Sequence, residues 1–400
     1  MYEPQIYIFD SMQLSYNISS KFFVRIIVIT FAVSLILSFN LWGNNRTFPL
    51  FPIFDIQINW IHKIAQYGFL ILIFICILIP GKKLIKSFLI FLVFLISLDQ
   101  IRLQPWVYFT ILCLIPFAFK NKEITRFNYL RILFIVVYIW SGIHKLNENF
   151  IIFIFESILV DGFNLKSIYV ISTLKKIGYL IPIIEISTGL LLIFKITRKL
   201  GFTILLTIHL YILYYLIAGI RGNYVIIPWN ILMIVSSYFL FYRTNNNLKI
   251  PQSHFLKIIL IVISLLPVGF IVEKIDQTLA FSLYDGKIKS LYLFENTFNY
   301  RDNDIDKTIV KKGYLTDYNA WSFKEMNVPF YPENRFIKKL QMTKENLEKK
   351  FIITEIPLWK RNLLGKYKTK EELKKFKIID SIENVVFTKG LYFPKFKILK

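Results

Sequence analysis

The sequence is poor in cysteine and histidine, with 2 Cys and 4 His in 400 residues. Cys76 and Cys113 both lie within apolar runs, so a disulfide framework is excluded, and the scattered histidines match no zinc spacing. We therefore predict no metal site. The N-terminus contains Glu3 and Asp10 and lacks a short apolar core before a small-residue cleavage site. We expect no cleavable signal peptide, with the first membrane span serving as the insertion signal.

Acidic residues are also few. The chain has 26 Asp and Glu against 49 Lys and Arg, which gives a formal net charge of +23. Basic chains favour polyanions, but no DNA or RNA recognition motif is present. The positive charges fall largely between apolar runs and in a lysine-rich C-terminal region, where contact with a membrane surface is the simpler explanation. We predict membrane lipid, and not nucleic acid, as the partner of these charges.

Apolar and aromatic residues are abundant instead. Hydrophobic residues make up 55% of the chain, with 39 Phe and 23 Tyr, and several windows approach the ~20 apolar residues that cross a bilayer. We predict an all-α polytopic membrane bundle over residues 1–273, followed by a small extramembrane α+β domain over residues 274–400. The predicted spans, about nine in number, are Phe22–Leu41, Ile64–Ile79, Leu84–Leu98, Val107–Phe119, Tyr129–Leu146, Tyr179–Ile196, Leu200–Ile220, Tyr224–Tyr242 and Leu256–Ile271. The third and fourth are short and close together, so a re-entrant or tilted pair is the alternative for them.

The charges of the short loops predict the orientation. Basic residues concentrate on one side of the bundle, at Lys82, Lys83, Lys86, Lys120, Lys122, Arg126, Lys195, Arg198, Lys199, Arg243 and Lys249. The positive-inside rule places this side and the N-terminus in the cytoplasm. An odd number of spans then places the C-terminal domain in the periplasm of a bacterial inner membrane.

The C-terminal region has shorter apolar runs and several turn clusters. It contains no Cys or His and no Gly-rich phosphate loop, so we expect no independent active site there. A periplasmic partner protein is the predicted ligand of this domain. The predicted helices are Thr343–Phe351 and Thr369–Phe376, and the predicted strands are Ile378–Ile382, Asn384–Phe387 and Leu391–Ile398.

Ionisable side chains inside spans are costly and mark candidate functional sites. Lys145 lies at the outer end of the fifth span, in the stretch YIWSGIHKLNENF, one helical turn after Ser141. Trp140 and His144 share the same spacing, and Gly142 allows a close helix contact. Lys145 either extends to the lipid headgroups or is held inside the bundle as a candidate base, and the spacing leaves both open.

Three further polar sites interrupt the predicted spans. Glu185 needs a partner, which a lysine would suit, and His209 is typical of a hydrogen bond between helices. Asp99 and Arg102 have the spacing of an ion pair, with a capped turn as the alternative. On the predicted topology Lys145, Glu185 and the Asp99–Arg102 turn lie near the outer face, which suggests a shared pocket.

The stretch around Lys145 resembles the motif of vitamin K-dependent γ-carboxylase and its bacterial relatives, the HTTM group. The matching positions are Tyr138, Gly142, Lys145, Leu146, Asn147 and Phe150. The stretch from Glu185 to His209 and the turn opened by Asp99 are similar in the same order, so the resemblance covers residues 97–242. The sequence departs from the family at Trp106, where the family has a histidine, and at His144, where it has a basic residue.

The resemblance implies that Lys145 is a general base that deprotonates a reduced quinone of the menaquinone or vitamin K type. The residues implied to shape the pocket are Asp99, Arg102, Trp106, Ser141, His144, Glu185 and His209. The departures favour quinol oxidation or epoxidation over glutamate carboxylation. A more distant similarity to DoxX-type membrane proteins, which include quinone-linked redox subunits, gives the alternative. The chain is then a non-catalytic subunit that binds a quinone or a partner protein.

Overall fold

The computed structural model describes residues 19–53, 59–119, 121–218, 223–271, 275–282, 284–286, 290–295, 307–310, 313–333, 335–336, 339–340, 350–354, 377–380 and 384–386. The α-helices of the described residues are α1 (Ser20–Leu37), α2 (Phe39–Trp42), α3 (Asn59–Leu78), α4 (Lys82–Leu98), α5 (Pro105–Ala118), α6 (Glu123–Lys145), α7 (Ile168–Lys175), α8 (Leu180–Leu191), α9 (Arg198–Ile217), α10 (Ile227–Ser237), α11 (His254–Ile271) and α12 (Tyr318–Met326). Short 3₁₀ turns cover Gln100–Arg102, Tyr224–Ile226 and Gln277–Ala280, and π-helical segments cover Phe150–Phe155, Ile158–Gly162 and Tyr238–Tyr242.

The chain is a multi-pass membrane protein. Within the described ranges, 6 segments are long and apolar enough to cross a bilayer: α1, α3, α6, α9, the Tyr224–Tyr242 segment and α11. The other three predicted spans coincide with α4, α5 and α8, which have 17, 14 and 12 residues. At 1.5 Å per residue α5 and α8 extend only about 21 and 18 Å, well short of the ~30 Å hydrocarbon core, whereas α4 is at the lower limit of the ~17–25 residues that cross it. The count of nine spans, the orientation and the bacterial inner membrane stay predictions.

Local sequence explains several helix boundaries. The Ser19 side chain accepts a hydrogen bond from the Phe22 amide and so caps the start of α1. Pro105 lies in the first turn of α5, where its missing N–H leaves no helical bond unmade. Asn327 ends α12 in a left-handed conformation, with φ 58°, that asparagine tolerates better than most residues.

The C-terminal segments lie against one end of the bundle. Phe51 stacks on Phe330 with ring centroids 5.9 Å apart and contacts Phe336 at 4.8 Å. The amide nitrogen of Asn147, just after α6, donates to the Asp285 carbonyl over 3.0 Å. These contacts join the loops at this end of the bundle to residues far along the chain. A boundary between a membrane bundle and a separate domain at residue 273 stays a prediction.

The C-terminal region also contains a sheet. Its strands are β1 (Ser290–Glu295), β2 (Lys307–Val310), β3 (Gly313–Asp317), β4 (Lys350–Thr354), β5 (Lys377–Asp380) and β6 (Asn384–Val386). The order is β2-β3-β1-β4-β5-β6, and all five pairings are antiparallel. In register, Tyr292 lies opposite Asp317, and Leu293 lies opposite Phe351.

Two predicted strands overlap β5 and β6, with bounds that differ by a few residues. The predicted strand Leu391–Ile398 and the predicted helix Thr369–Phe376 lie outside the described residues. The predicted helix Thr343–Phe351 also lies mostly outside them, and its last two residues begin β4.

Candidate functional site

The candidate site is built on a close contact between α6 and α8. A β-carbon added to Gly142 would lie 2.7 Å from the Pro182 carbonyl oxygen. On the facing helix, a β-carbon added to Gly189 would lie 3.2 Å from the Ile135 carbonyl oxygen. Glycine on each helix therefore lets the two backbones approach closely, as small residues do between membrane helices. The predicted role of Gly142 in helix contact is confirmed.

This contact brings Lys145 to Glu185. The Lys145 Nζ atom lies 2.7 Å from Oε1 and 2.6 Å from Oε2 of Glu185, and 2.8 Å from the Ser141 hydroxyl oxygen. Ser141 donates in turn to Glu185 Oε2 over 3.1 Å. Each side chain of the ion pair is only 10% exposed. The predicted lysine partner of Glu185 is confirmed, and Lys145 points into the bundle.

The arrangement uses every donor of the lysine. An ammonium has three N–H groups and no acceptor, and the three contacts of Lys145 are two carboxylate oxygens and one hydroxyl. The geometry is that of an ammonium and a carboxylate held together. It does not present a free amine to a substrate, so it gives no support to Lys145 as a resting general base.

His209 belongs to a second hydrogen-bonded chain. Its Nδ1 lies 2.7 Å from the Asn230 side-chain oxygen, and its Nε2 lies 2.5 Å from the Tyr138 hydroxyl. The amide nitrogen of Asn230 donates to the Ile226 carbonyl, so the Asn230 oxygen is the acceptor from Nδ1–H. Nε2 is then left as the acceptor for the Tyr138 O–H. His209 links three helices, which confirms the predicted role as a hydrogen bond between helices.

The two chains are neighbours. Tyr138 and His209 both lie close enough to Glu185 for electrostatic interaction, and His209 also to Lys145. The structure therefore brings together Lys145, Ser141, Glu185 and His209 of the predicted site residues. The sequence marks Tyr138 only as a motif position. It gives no sign of Asn230, because its partner His209 lies 21 residues away on another helix and leaves no spacing pattern.

Asp99 and Arg102 do not pair with each other, so that predicted ion pair is wrong. Asp99 forms a buried salt bridge with Arg46 and accepts hydrogen bonds from the Phe51 amide at 3.1 Å and the Ile101 amide at 3.3 Å. The last contact caps the 3₁₀ turn, as the alternative interpretation predicted. Arg46 was missed because it lies 53 residues from Asp99 along the chain.

Arg102 binds backbone carbonyls instead. It donates to Leu95 O over 2.8 Å, Trp42 O over 2.9 Å and Leu41 O over 3.1 Å, and it lies 3.2 Å from His62 Nδ1. Its side chain is fully buried. Arg102 thus fastens the end of α2 to the end of α4. Asp99 and Arg102 do not share a pocket with Lys145, contrary to the prediction. Their partners form a separate cluster.

Trp106 and His144 occupy packing positions. Trp106 contacts Phe31 and Trp42, with ring centroids 5.3 and 6.1 Å away. His144 stacks on Trp140 at 5.5 Å, which confirms their predicted shared face, and meets the edge of Phe270 at 5.1 Å. Trp106 also lines a small, partly open recess, together with Gln104, Pro105, Asn223, Ile226, Trp229, Tyr284, Pro329 and Tyr331.

The fold and this network define a helical membrane protein with a buried ion pair at the contact of two helices, α6 and α8. Residues 123–228 match the family of the methylamine utilisation protein MauE. The matched segment contains Tyr138, Lys145, Glu185 and His209, whereas Asp99 lies outside it. Comparison with curated proteins and with solved structures finds no match.

The MauE match corrects the resemblance to the HTTM and γ-carboxylase group, because no family of that group matches the chain. The physical reason lies in the residues that carried the resemblance. A glycine with a lysine one turn later, facing a glycine-bearing helix with an acid, also suits a close contact of two helices that buries an ion pair. Such residues recur without shared chemistry.

Proposed function

We propose that this chain is a non-catalytic membrane subunit that binds a partner protein at the end of the bundle covered by its C-terminal segments. The observation that supports a non-catalytic role is the closed hydrogen-bond network of Lys145, Ser141 and Glu185. All three donors of the lysine are used within the protein, so the pair holds α6 to α8 and leaves no free amine. Location in a bacterial inner membrane, with the C-terminal segments in the periplasm, belongs to this proposal.

The covered end of the bundle supports the partner-binding role. Loops from four parts of the bundle meet C-terminal residues there: Phe48 with Phe330, Gln104 with Pro329, Asn147 with Asp285, and Asn223 with Tyr284. A docked partner would touch the spans and the C-terminal segments together. A partner bound at this surface would therefore contact the loops that join the packed helices.

The match to the MauE family supports the same role. It covers the helices that carry the Lys145–Glu185 pair, so this pair falls within the shared part of the chain. The family is described by methylamine utilisation. A protein of a methylamine-utilising system is therefore the first partner to test.

Cross-linking of the full-length chain in its native membranes tests the proposal. Lys324 on α12 and Lys199 on α9 are both exposed and lie at opposite ends of the bundle. We expect a lysine-reactive cross-linker to join one stoichiometric partner to Lys324 and not to Lys199. Lys324→Arg removes the reactive amine but keeps the charge, so it is the control for the cross-link itself. Cross-links at both ends alike, or none, would contradict the proposal.

A turnover assay tests the non-catalytic part. The purified full-length chain is given reduced menaquinone and oxygen, and the quinone products are followed by chromatography. We expect no turnover above that of Lys145→Met. Turnover by the native chain that the folded variant lacks would overturn the proposal. Quinone that co-purifies without turnover would fit a quinone-binding subunit, which stays a prediction.

A further inference from the structure

Two buried arginines lie at the opposite end of the bundle from Lys145. Arg131 on α6 is 3% exposed, and Arg198 at the start of α9 is 1% exposed. Arg131 precedes Lys145 by four helical turns, which places it about 21 Å away along α6. This end of the bundle carries the basic loops that predict the cytoplasmic face.

The two guanidinium groups converge on one backbone oxygen. Arg131 Nη1 donates to Asn246 O over 3.3 Å, and Arg198 Nη1 donates to the same oxygen over 3.0 Å. Arg131 also binds Leu240 O over 2.7 Å and the Thr244 hydroxyl. Arg198 Nε reaches Leu192 O over 3.4 Å. Two like charges are thus held side by side by carbonyls and a hydroxyl.

One nitrogen of the two guanidinium groups donates no hydrogen bond among the described residues. In the part of the chain that the structure describes, Arg198 Nη2 is buried and has no hydrogen-bond partner. A buried, unpaired donor of a charged group is costly, so its persistence calls for a partner. The Thr244 hydroxyl accepts from Arg131 and still has its own proton to donate.

The described elements that follow Glu185 on this side of the bundle supply no acid to balance these charges. After Glu123, the next acidic residue is Glu148, and after Glu185 the next is Glu273. The whole of α9, α10 and the loop from Arg243 to Lys249 is therefore without Asp or Glu. Carbonyls at helix C-termini offset a buried cation only in part. A negative group from outside the chain would complete the balance.

The surroundings point to the kind of group. Exposed basic residues lie around the arginine pair, at Lys195, Lys199, Arg243 and Lys249. Guanidinium groups bind phosphate oxygens with charge-assisted hydrogen bonds. Basic pockets between membrane helices on the cytoplasmic side take anionic lipid headgroups. On the predicted topology these basic loops face the cytoplasmic leaflet, whose anionic headgroup phosphates attract Lys and Arg.

We propose that Arg131, Arg198 and the Arg243–Lys249 loop form a binding site for the phosphate of an anionic phospholipid. Arg198 Nη2 and the Thr244 hydroxyl donate to the phosphate oxygens, and the exposed basic residues attract the headgroup. The site is independent of the partner-binding surface at the other end of the bundle.

Native mass spectrometry of the full-length chain tests the site, with phosphatidylglycerol, phosphatidylcholine and inorganic phosphate as separate probes. We expect phosphatidylglycerol to bind more tightly than phosphatidylcholine, and Arg198→Gln to weaken its binding about tenfold. Arg25→Gln, at an exposed arginine on α1, is the control. Arg25 also binds carbonyls at a helix end, Ile77 O and Leu78 O, each at 3.0 Å, and its loss should leave the affinity within about twofold.

Two milder variants keep the test decisive if Arg198→Gln does not fold. Arg198→Lys keeps the charge but loses the fork of donors, and Thr244→Val loses the hydroxyl, so each should weaken phosphatidylglycerol binding more than Arg25→Gln does. Equal binding by all of the folded variants would overturn the site. Full displacement of the lipid by inorganic phosphate would overturn its assignment to a lipid.

Discussion

Lys145 and Glu185 meet across two helices that touch at Gly142, one turn before the lysine. The Nζ atom lies 2.6 Å from the nearer carboxylate oxygen, and a β-carbon on Gly142 would lie 2.6 Å from Ile186 Cγ1. The two features depend on each other. The ion pair can form only because the helices are close, and burying both charges is tolerable only because they are paired.

Gly142→Ala should destabilise the protein by about 1–3 kcal/mol, because its methyl group would overlap the α8 backbone at Pro182 and force the helices apart. Gly68→Ala on α3 is the control. There the nearest atom to an added β-carbon, Phe91 Cζ, lies 3.7 Å away, which is an ordinary contact. Thermal unfolding of the two variants in detergent measures the difference. Equal stability would mean that α6 and α8 can separate at no cost.

Asp99→Asn should lower the free energy of unfolding by about 3 kcal/mol or more, because it leaves the buried Arg46 guanidinium without its counter-charge. The side chains of this pair are 1% and 0% exposed. Asp276→Asn breaks the pair with Arg335, whose side chains are 21% and 40% exposed, and should cost less than about 1 kcal/mol. Chemical unfolding of both variants compares them, and similar losses would contradict the difference in burial.

The membrane class and the Lys145–Glu185 pair could be predicted from the sequence. Long apolar runs identify spans with little context, and an acid and a lysine inside spans need partners. The partner of Asp99 could not be predicted, because i,i+3 spacing favours Arg102 whereas Arg46 arrives from a distant loop. The match to the MauE family over residues 123–228 could not be predicted either, since a glycine and a lysine at this spacing also suit helix packing in general.

The contact of α12 with the bundle should depend on pH through Glu325. Burial opposes its ionisation, but hydrogen bonds from the Thr47 hydroxyl, the Phe48 amide and the Trp321 indole outweigh burial and lower the pKa of Glu325 below its ordinary 4.5. A lowered folded-state pKa means that ionised Glu325 stabilises the fold above about pH 4.5, and that this stability is lost as the pH falls further.

Glu325→Gln should therefore make the stability of the protein less dependent on pH in the acid range. We expect the melting temperature of the native chain to fall more steeply below about pH 4.5 than that of the variant. Burial raises the pKa of Asp317, at the start of α12, but Asp317 is present in both proteins and cancels in the comparison. Parallel curves for the two proteins would show that Glu325 does not hold α12 through its charge.

A double-mutant cycle on Lys145 and Glu185 tests most directly whether their pair is structural. Lys145→Met and Glu185→Leu are measured singly and together, by unfolding in detergent and by cross-linking of the partner. Each single variant should lose about 3–5 kcal/mol, because it strands one buried charge, and the double variant should recover most of that loss. It should also keep its partner. A double variant that is stable but has lost its partner, or single variants as stable as the native chain, would contradict a structural role for the pair.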